Sequence, residues 1–339
     1  VRHLGRGAMG AVYLGEHLKF GRMDAIKVLQ SSMARDEEAT RRFLRGARNA
    51  SAINHPNVCT VYDFSDTDEG LQFLAMEYVD GETLADILER EGALPPGRTM
   101  SIIAQVAAAL QAAHDLGIVH RDLKPGNVML TRERDGSDLV KVVDFDIAKG
   151  SREGEGSEVT RLGFVVGTPE YMSPEQLTGD PLDGRSDVYS LGLLFFRLVT
   201  GKLPMRSSST QELLVERLTQ DPLTLREVAP GLEIPQHFQR VLDRALQRRR
   251  EDRYPSALDL ARDLETGRAE PSPGLAAALE VPSSTHSGGS SAPPPAEVVP
   301  ATRISGARPI APEPAGPPAG SGRGGSRRPL AWGLGGVGF

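Results

Sequence analysis

A chain of 339 residues carrying 39 basic and 45 acidic side chains, net −6, has no electrostatic reason to seek nucleic acid. It is long enough for one large domain or two ordinary ones. Its single cysteine, Cys59, excludes an internal disulfide and suits a reducing compartment; inside the apolar, strand-like run NVCTVYDF it reads as a buried bystander.

No secretory signal opens the chain. It begins at Val1 almost inside a motif, and the expectation is that a further N-terminal piece precedes it. The first part reads as strands: AVYLGEHL, DAIKVLQ, NVCTVYDF and LQFLAMEYV are β-rich, with one helical stretch, DEEATRRFLRGARNASAI, between the second and third. Later segments read as helices: TMSIIAQVAAALQAAHDLG, RSDVYSLGLLFFRLVTG, QELLVERLT, QHFQRVLDRALQ and YPSALDLARDLE. Their apolar residues recur at intervals of three and four. The pattern is an α+β domain over 1–265, with a small sheet-rich lobe (about 1–79) ahead of a larger helical one (about 80–265).

Composition then changes. Residues 266–339 hold 27 Gly or Pro among 74 and no lysine, and 266–329 read as a disordered linker because such a segment cannot bury enough apolar surface to offset its ordering entropy. The final run, LAWGLGGVGF (330–339), follows Arg327 and Arg328. It is half the roughly 20 apolar residues of a membrane helix. Two readings stand: a sticky end, or the start of a transmembrane helix with its positive flank on the cytoplasmic side.

Several runs carry chemistry. GRGAMGAV fits G-x-G-x-x-G-x-V through Gly5, Gly7, Gly10 and Val12. Before a helix it would read as a dinucleotide turn. Here the strand-like VYLGEHL follows, which favours a β-hairpin flap whose bare backbone covers nucleotide phosphates, with glycine needed because a Cβ would block that approach. Lys27 lies on the next apolar strand. Such a lysine usually faces solvent, but between Ala25, Ile26 and Val28 this one is a candidate to point into a cleft and meet the α- and β-phosphates.

HRDLKPGN, His120 to Asn127, is the most specific run. Asp122 is placed to orient a substrate hydroxyl and accept its proton, Lys124 to neutralise a γ-phosphate, and Asn127 to offer a neutral oxygen to a metal ion. VKVVDFDIAKG then brings Asp144 to a strand end, a position suited to a metal ligand, with a second acid at Asp146.

On these motifs, residues 1–265 resemble a eukaryotic-like (Hanks-type) serine/threonine protein kinase of bacteria. The resemblance implies the bilobal protein kinase fold, ATP with Mg²⁺ (or Mn²⁺) as cofactors, and transfer of the γ-phosphate to Ser/Thr of protein substrates in signal transduction. It assigns Asp144 and Asn127 to the metal, Met76 to the gatekeeper beside adenine, and the backbone of Glu77 and Val79 to the base. Val12, Ala25 and Met129 resemble the residues that sandwich adenine. His120, Phe145 and a residue of QFLA resemble the regulatory spine, although ordinary core would account for the apolar members as well.

GTPEYMSPEQ resembles the end of the activation segment, with Ser173-Pro174-Glu175 in the Ala-Pro-Glu slot. SDVYSLG resembles the helix that follows it, whose Asp187 would brace the catalytic loop, and Arg253 would pair with Glu175. Lys124 and Thr168 resemble the serine/threonine type. Among Ser151, Ser157 and Thr160, Thr160 is the expected autophosphorylation site, with Arg121 as its partner.

Two positions depart from the family. Asp146 replaces the glycine of Asp-Phe-Gly. Gly46 stands where the small-lobe helix should carry the Glu that pairs with Lys27; it costs that helix ~1 kcal/mol relative to Ala. Glu38 lies eight residues earlier, roughly 12 Å along a helix, and Glu37 falls on another face. An active kinase is the expectation. A weakly active or inactive pseudokinase that binds nucleotide is the alternative, and a membrane receptor whose kinase domain serves mainly as a docking platform is a third reading. The expected setting is a cytoplasmic domain, anchored by a helix beyond residue 339, with room for a homodimer.

Overall fold

Strand alternation and helical periodicity both appear where the chain is long enough to express them. The structure, a computed structural model, describes residues 1–7, 10–29, 37–67, 71–145, 169–207 and 209–267. The chain divides into two units, Val1–Ala278 and Leu279–Phe339, the second lying wholly outside the described residues. The linker and the terminal apolar run lie outside them too. No helix among the described residues is long and apolar enough to cross a membrane.

The first lobe is a five-stranded antiparallel sheet in the order β1-β2-β3-β5-β4: β1 (Arg2–Gly7), β2 (Gly10–Glu16), β3 (Met23–Leu29), β4 (Val61–Asp66) and β5 (Gln72–Glu77). β5 lies between β3 and β4, and Phe73 to Met76 are buried on both faces, which is why QFLAME reads as a continuous apolar run. Helix α1 (Glu37–Ala52) lays Phe43 and Ala47 against Leu29 and Leu74.

Two details differ from expectation. Gly10 is required for a steric reason other than phosphate approach: a Cβ there would collide with the carbonyl of Val28 on β3, whereas at Gly5 a Cβ would meet nothing within 4 Å. The run NVCTVYDF is a strand only from Val61. Its first residues reach the other lobe instead, with Cys59 N–H donating to Val142 O (2.9 Å) and Val142 N–H to Asn57 O (2.8 Å). The Asn57 carbonyl and the Cys59 N–H are thus satisfied by a strand of the helical lobe, while the N–H groups of Asn57 and Val58 turn to His55.

That lobe opens with β6 (Glu82–Thr83) and α2 (Leu84–Glu91), followed by α3 (Pro96–His114). β7 (Val128–Arg132) and β8 (Asp138–Val142) complete a small sheet, β6-β7-β8. Then come α4 (Pro174–Thr178), α5 (Gly184–Thr200), α6 (Thr210–Thr219), α7 (Leu225–Val228), α8 (Gln236–Ala245) and α9 (Ala257–Thr266). Helix α2, which periodicity does not reveal, has only eight residues and is secured by a capping box between Thr83 and Asp86.

Helix α5 is the core of the lobe: from Ser186 to Thr200 every residue but Arg197 is buried. It is apolar all round because α3, α8 and α9 pack about it. At Gly192 a Cβ would press to 3.0 Å on Ala245 and Leu246 of the α8 end, so the crossing needs a residue with no side chain.

Behind α5 a buried ion pair closes the fold. Arg253 (2% exposed) donates from both terminal nitrogens to the carboxylate of Glu175 (7% exposed) at 2.7 and 2.8 Å, and Ser186 Oγ adds a third bond at 2.7 Å. Burial pushes the Glu175 carboxyl up, but Arg253 and Ser186 outweigh it and hold it below the usual range. Removing one partner leaves a buried charge uncompensated. Arg253→Met is expected to cost about 3–5 kcal/mol in urea unfolding, and adding Glu175→Gln to it should restore a measurable part.

Candidate active site

The site is built outward from Asp187, in the first turn of α5 and 1% exposed. Its Oδ2 accepts the N–H of His120 and lies 2.7 Å from His114 Nε2; its Oδ1 accepts the N–H of Arg121 at 3.0 Å. Arg121 thereby holds a φ of +64°, a left-handed conformation that a long side chain reaches only under such constraint. Gln176 of α4 donates to the carbonyl of Arg121 (2.7 Å). Burial pushes the Asp187 carboxyl up, yet the hydrogen bond from His114 and the N–H of His120 hold it below the usual value.

From this braced loop the chemical side chains project. His120 Nδ1 accepts the N–H of Asp122 (3.3 Å), so its Nε2 carries the proton and donates to Val143 O (3.1 Å). Val143 N–H in turn donates to Asn127 O (3.0 Å). One residue on, Asp144 adopts φ +62° and accepts from Lys27 Nζ at 2.8 Å. Asn127 Nδ2 donates to the carbonyl (2.8 Å) and carboxylate (3.2 Å) of Asp122, and Lys124 Nζ reaches Asp122 Oδ2 at 2.8 Å. Lys124 and Asn127 are thus gathered on Asp122, and Lys27 on Asp144, the two groups joined through Val143. His120 and Phe145 lie ring to ring at 4.6 Å.

Beside them is an apolar cluster. Ala25, Cys59, Met76 and Val79 form one buried cluster, with Val12, Met129 and Val143 packed against it. All five apolar residues expected around a base are therefore together. Val12 faces Lys27 across the β2–β3 pair and Ala25 faces Met76 across β3–β5.

Cys59 is buried, as its sequence context implies, and burial pushes its thiol up to about 12, which disfavours the thiolate. Its place in this cluster, 3.5 Å from Glu77 O, could not be read from the sequence. Lys141 was missed as well. It pairs with Glu77 at 2.8 Å, and Glu77 also accepts the N–H of Thr60 (3.1 Å), which fixes the strand end that leads to Val79. No local pattern announces a pair 64 residues apart.

The family called the protein kinase domain matches residues 1–263. The chain belongs to the protein kinase family. Its relatives are bacterial serine/threonine kinases: serine/threonine-protein kinase pkn3 of Myxococcus xanthus is 43% identical over 255 residues, 75% of this chain and 47% of that protein. PknB of Mycobacterium tuberculosis is 40% identical over 264 residues, 77% and 41% respectively. The chain spans less than half the length of these two relatives. The crystal structure of the Mycobacterium tuberculosis PknI kinase domain matches with a TM-score of 0.61 at 33% identity, covering 79% of this chain and 94% of that one.

Within the kinase fold, Gly46 lies on α1, buried, and offers Lys27 no carboxylate. Among the described residues the acid on Lys27 is that of Asp144. Asp146, Ser151, Ser157, Thr160 and Thr168 lie outside the described residues. The donor chemistry fits Mg²⁺: Asp144 brings a carboxylate, and Asn127, its amide nitrogen turned to Asp122, presents its amide oxygen on the other side. Among the described residues no group of three or more His, Cys, Asp or Glu that could hold a metal ion is found.

The depressed carboxyls set the acid limit. Their contribution is complete above the unfolded carboxyl value, near 4, and is lost as pH falls through the lower folded values. The thermal midpoint should be level above about pH 5 and fall below about pH 4. Asp187→Asn should lower the midpoint at neutral pH and show a smaller acid drop, as followed by scanning calorimetry.

Proposed function

We infer that the domain transfers the γ-phosphate of Mg-ATP to Ser or Thr hydroxyls of proteins. The observation that carries this is the convergence of Lys124 and Asn127 on the carboxylate of Asp122, joined through Val143 to the Lys27–Asp144 pair. In this reading adenine lies between Val12 and Ala25 on one side and Met129 on the other, with the backbone of Glu77 and Val79 at its edge; the gathering of these apolar residues in one cluster supports it. Lys27 is placed for the α- and β-phosphates under the β1–β2 flap.

Asp122 orients the acceptor hydroxyl and takes its proton, and Lys124 offsets charge as the phosphoryl group moves. Asp144 and the Asn127 oxygen would hold Mg²⁺, or Mn²⁺, which neutralises phosphate charge when bound. The protein contributes position and preorganised charge more than covalent chemistry. The absent Glu at position 46 leaves Lys27 to Asp144, which must share its carboxylate with the metal. A nucleotide-binding pseudokinase gains no support over this reading, since all five polar residues are present and assembled. Thr160 as autophosphorylation site and membrane tethering through the tail rest on the sequence.

Asp122→Asn should lower phosphate transfer about 10²–10⁴-fold while leaving ATP affinity nearly intact in fluorescence titration. In a radiolabel transfer assay with Mg²⁺ and Mn²⁺ compared, the parent is expected to be active and Gly46→Glu to change its rate only modestly. A silent parent revived by Glu would assign the chain to the pseudokinases.

A further inference from the structure

Arg217 of α6 is 5% exposed, and its guanidinium has no carboxylate within ion-pair distance among the described residues. The other buried charges there are paired: Asp24 with Arg22, Glu175 with Arg253, Glu216 with Arg206, and Asp187 with His114. Arg217 spends its terminal donors mainly on backbone, while its Nε has no hydrogen-bond partner among the described residues. Nη1 donates to the carbonyl of Met172, and Nη2 donates to that of Glu170 (2.8 Å) and lies 3.0 Å from Met205 Sδ. The guanidinium stands 5.7 Å from the Tyr189 ring centre. The carbonyl between the two, that of Tyr171, accepts Ser190 Oγ at 2.8 Å.

Three successive carbonyls, 170 to 172, are therefore tied down from beneath. Burial pushes the Arg217 guanidinium down from its ordinary value, a cost that an apolar side chain filling the same space would not carry. What an apolar residue cannot do is hold two carbonyls of one turn with a rigid fork.

The turn so held, residues 169–172, lies in the chain just ahead of α4. It leads within four residues to Gln176, whose bond to Arg121 O ends one residue from Asp122. We propose that Arg217 is a positioning residue for the protein substrate: by fixing the 169–172 turn it sets the affinity for the acceptor chain independently of nucleotide. This rests on the phosphotransfer reading above.

The test uses the whole chain, Mg-ATP and a synthetic acceptor peptide with the sequence of residues 151–168. Arg217→Lys keeps the charge and loses the fork. Loss of one charged hydrogen bond predicts about a tenfold rise in the peptide's KM and in its Kd by fluorescence anisotropy, with the KM for Mg-ATP unmoved. Ser190→Ala, which frees the Tyr171 carbonyl and leaves the charge in place, should shift the same two quantities in the same direction by less, and it decides the matter should Arg217→Lys fail to fold. Peptide KM and Kd equal to the parent's in a folded variant, or an equal rise in the KM for Mg-ATP, would overturn the proposal. A parent that binds the peptide with the predicted variant dependence but transfers no phosphate would overturn only the phosphotransfer reading.

Discussion

The catalytic loop depends on one buried carboxylate. Asp187 takes two consecutive backbone N–H groups, those of His120 and Arg121, and no regular hydrogen-bond ladder would present two adjacent donors to one acceptor. That demand forces Arg121 to positive φ, turns the chain, and sends Asp122 into the cleft. The cost of holding Arg121 there is met by the helix that carries Asp187, which is locked among α3, α8 and α9. The rigidity of the site therefore comes from the most deeply buried helix of the domain, and from there through His120 to Val143 and Asp144.

The sheet lobe is tied to this frame by backbone and by charge. Asn57 and Cys59 exchange hydrogen bonds with Val142, two residues before Asp144. Lys141, beside Val142, pairs with Glu77, at the strand end that forms one edge of the apolar cluster. The segment before β4, the strand β8 and the edge of the cluster thus share one set of contacts. Lys27 is ordered by Asp144, from the other lobe, and the carboxylate expected to hold metal also holds the lysine expected to meet phosphate.

The polar members of the site were legible because each sits in a short run whose residue types and spacing are specific. The apolar members, Val12, Ala25, Met76, Val79 and Met129, were named through the same resemblance, although periodicity alone marks them only as core. Three participants escaped. Lys141 looks like any strand lysine until Glu77 is placed beside it. His114 looks like the last polar residue of a helix until Asp187 arrives under it. Arg217 lies in an amphipathic helix where arginine is ordinary, and only its burial and its carbonyl partners set it apart. The reason for Gly10 also changed, from approach of phosphate to approach of strand β3.

The sequence by itself determined the two-lobe order of elements, the identity of the residues expected to handle phosphate and acceptor, and the missing Glu at position 46. These follow from local chemistry: a strand, a helix or a motif is encoded in a stretch of neighbours. Tertiary structure decided which acid holds Lys27, which strand satisfies the Asn57 carbonyl and the Cys59 N–H, and what lies beneath the 169–172 turn. Those are contacts between residues tens of positions apart. They depend on which buried polar group finds a partner once the core has closed, and a buried donor or charge is indifferent to sequence distance.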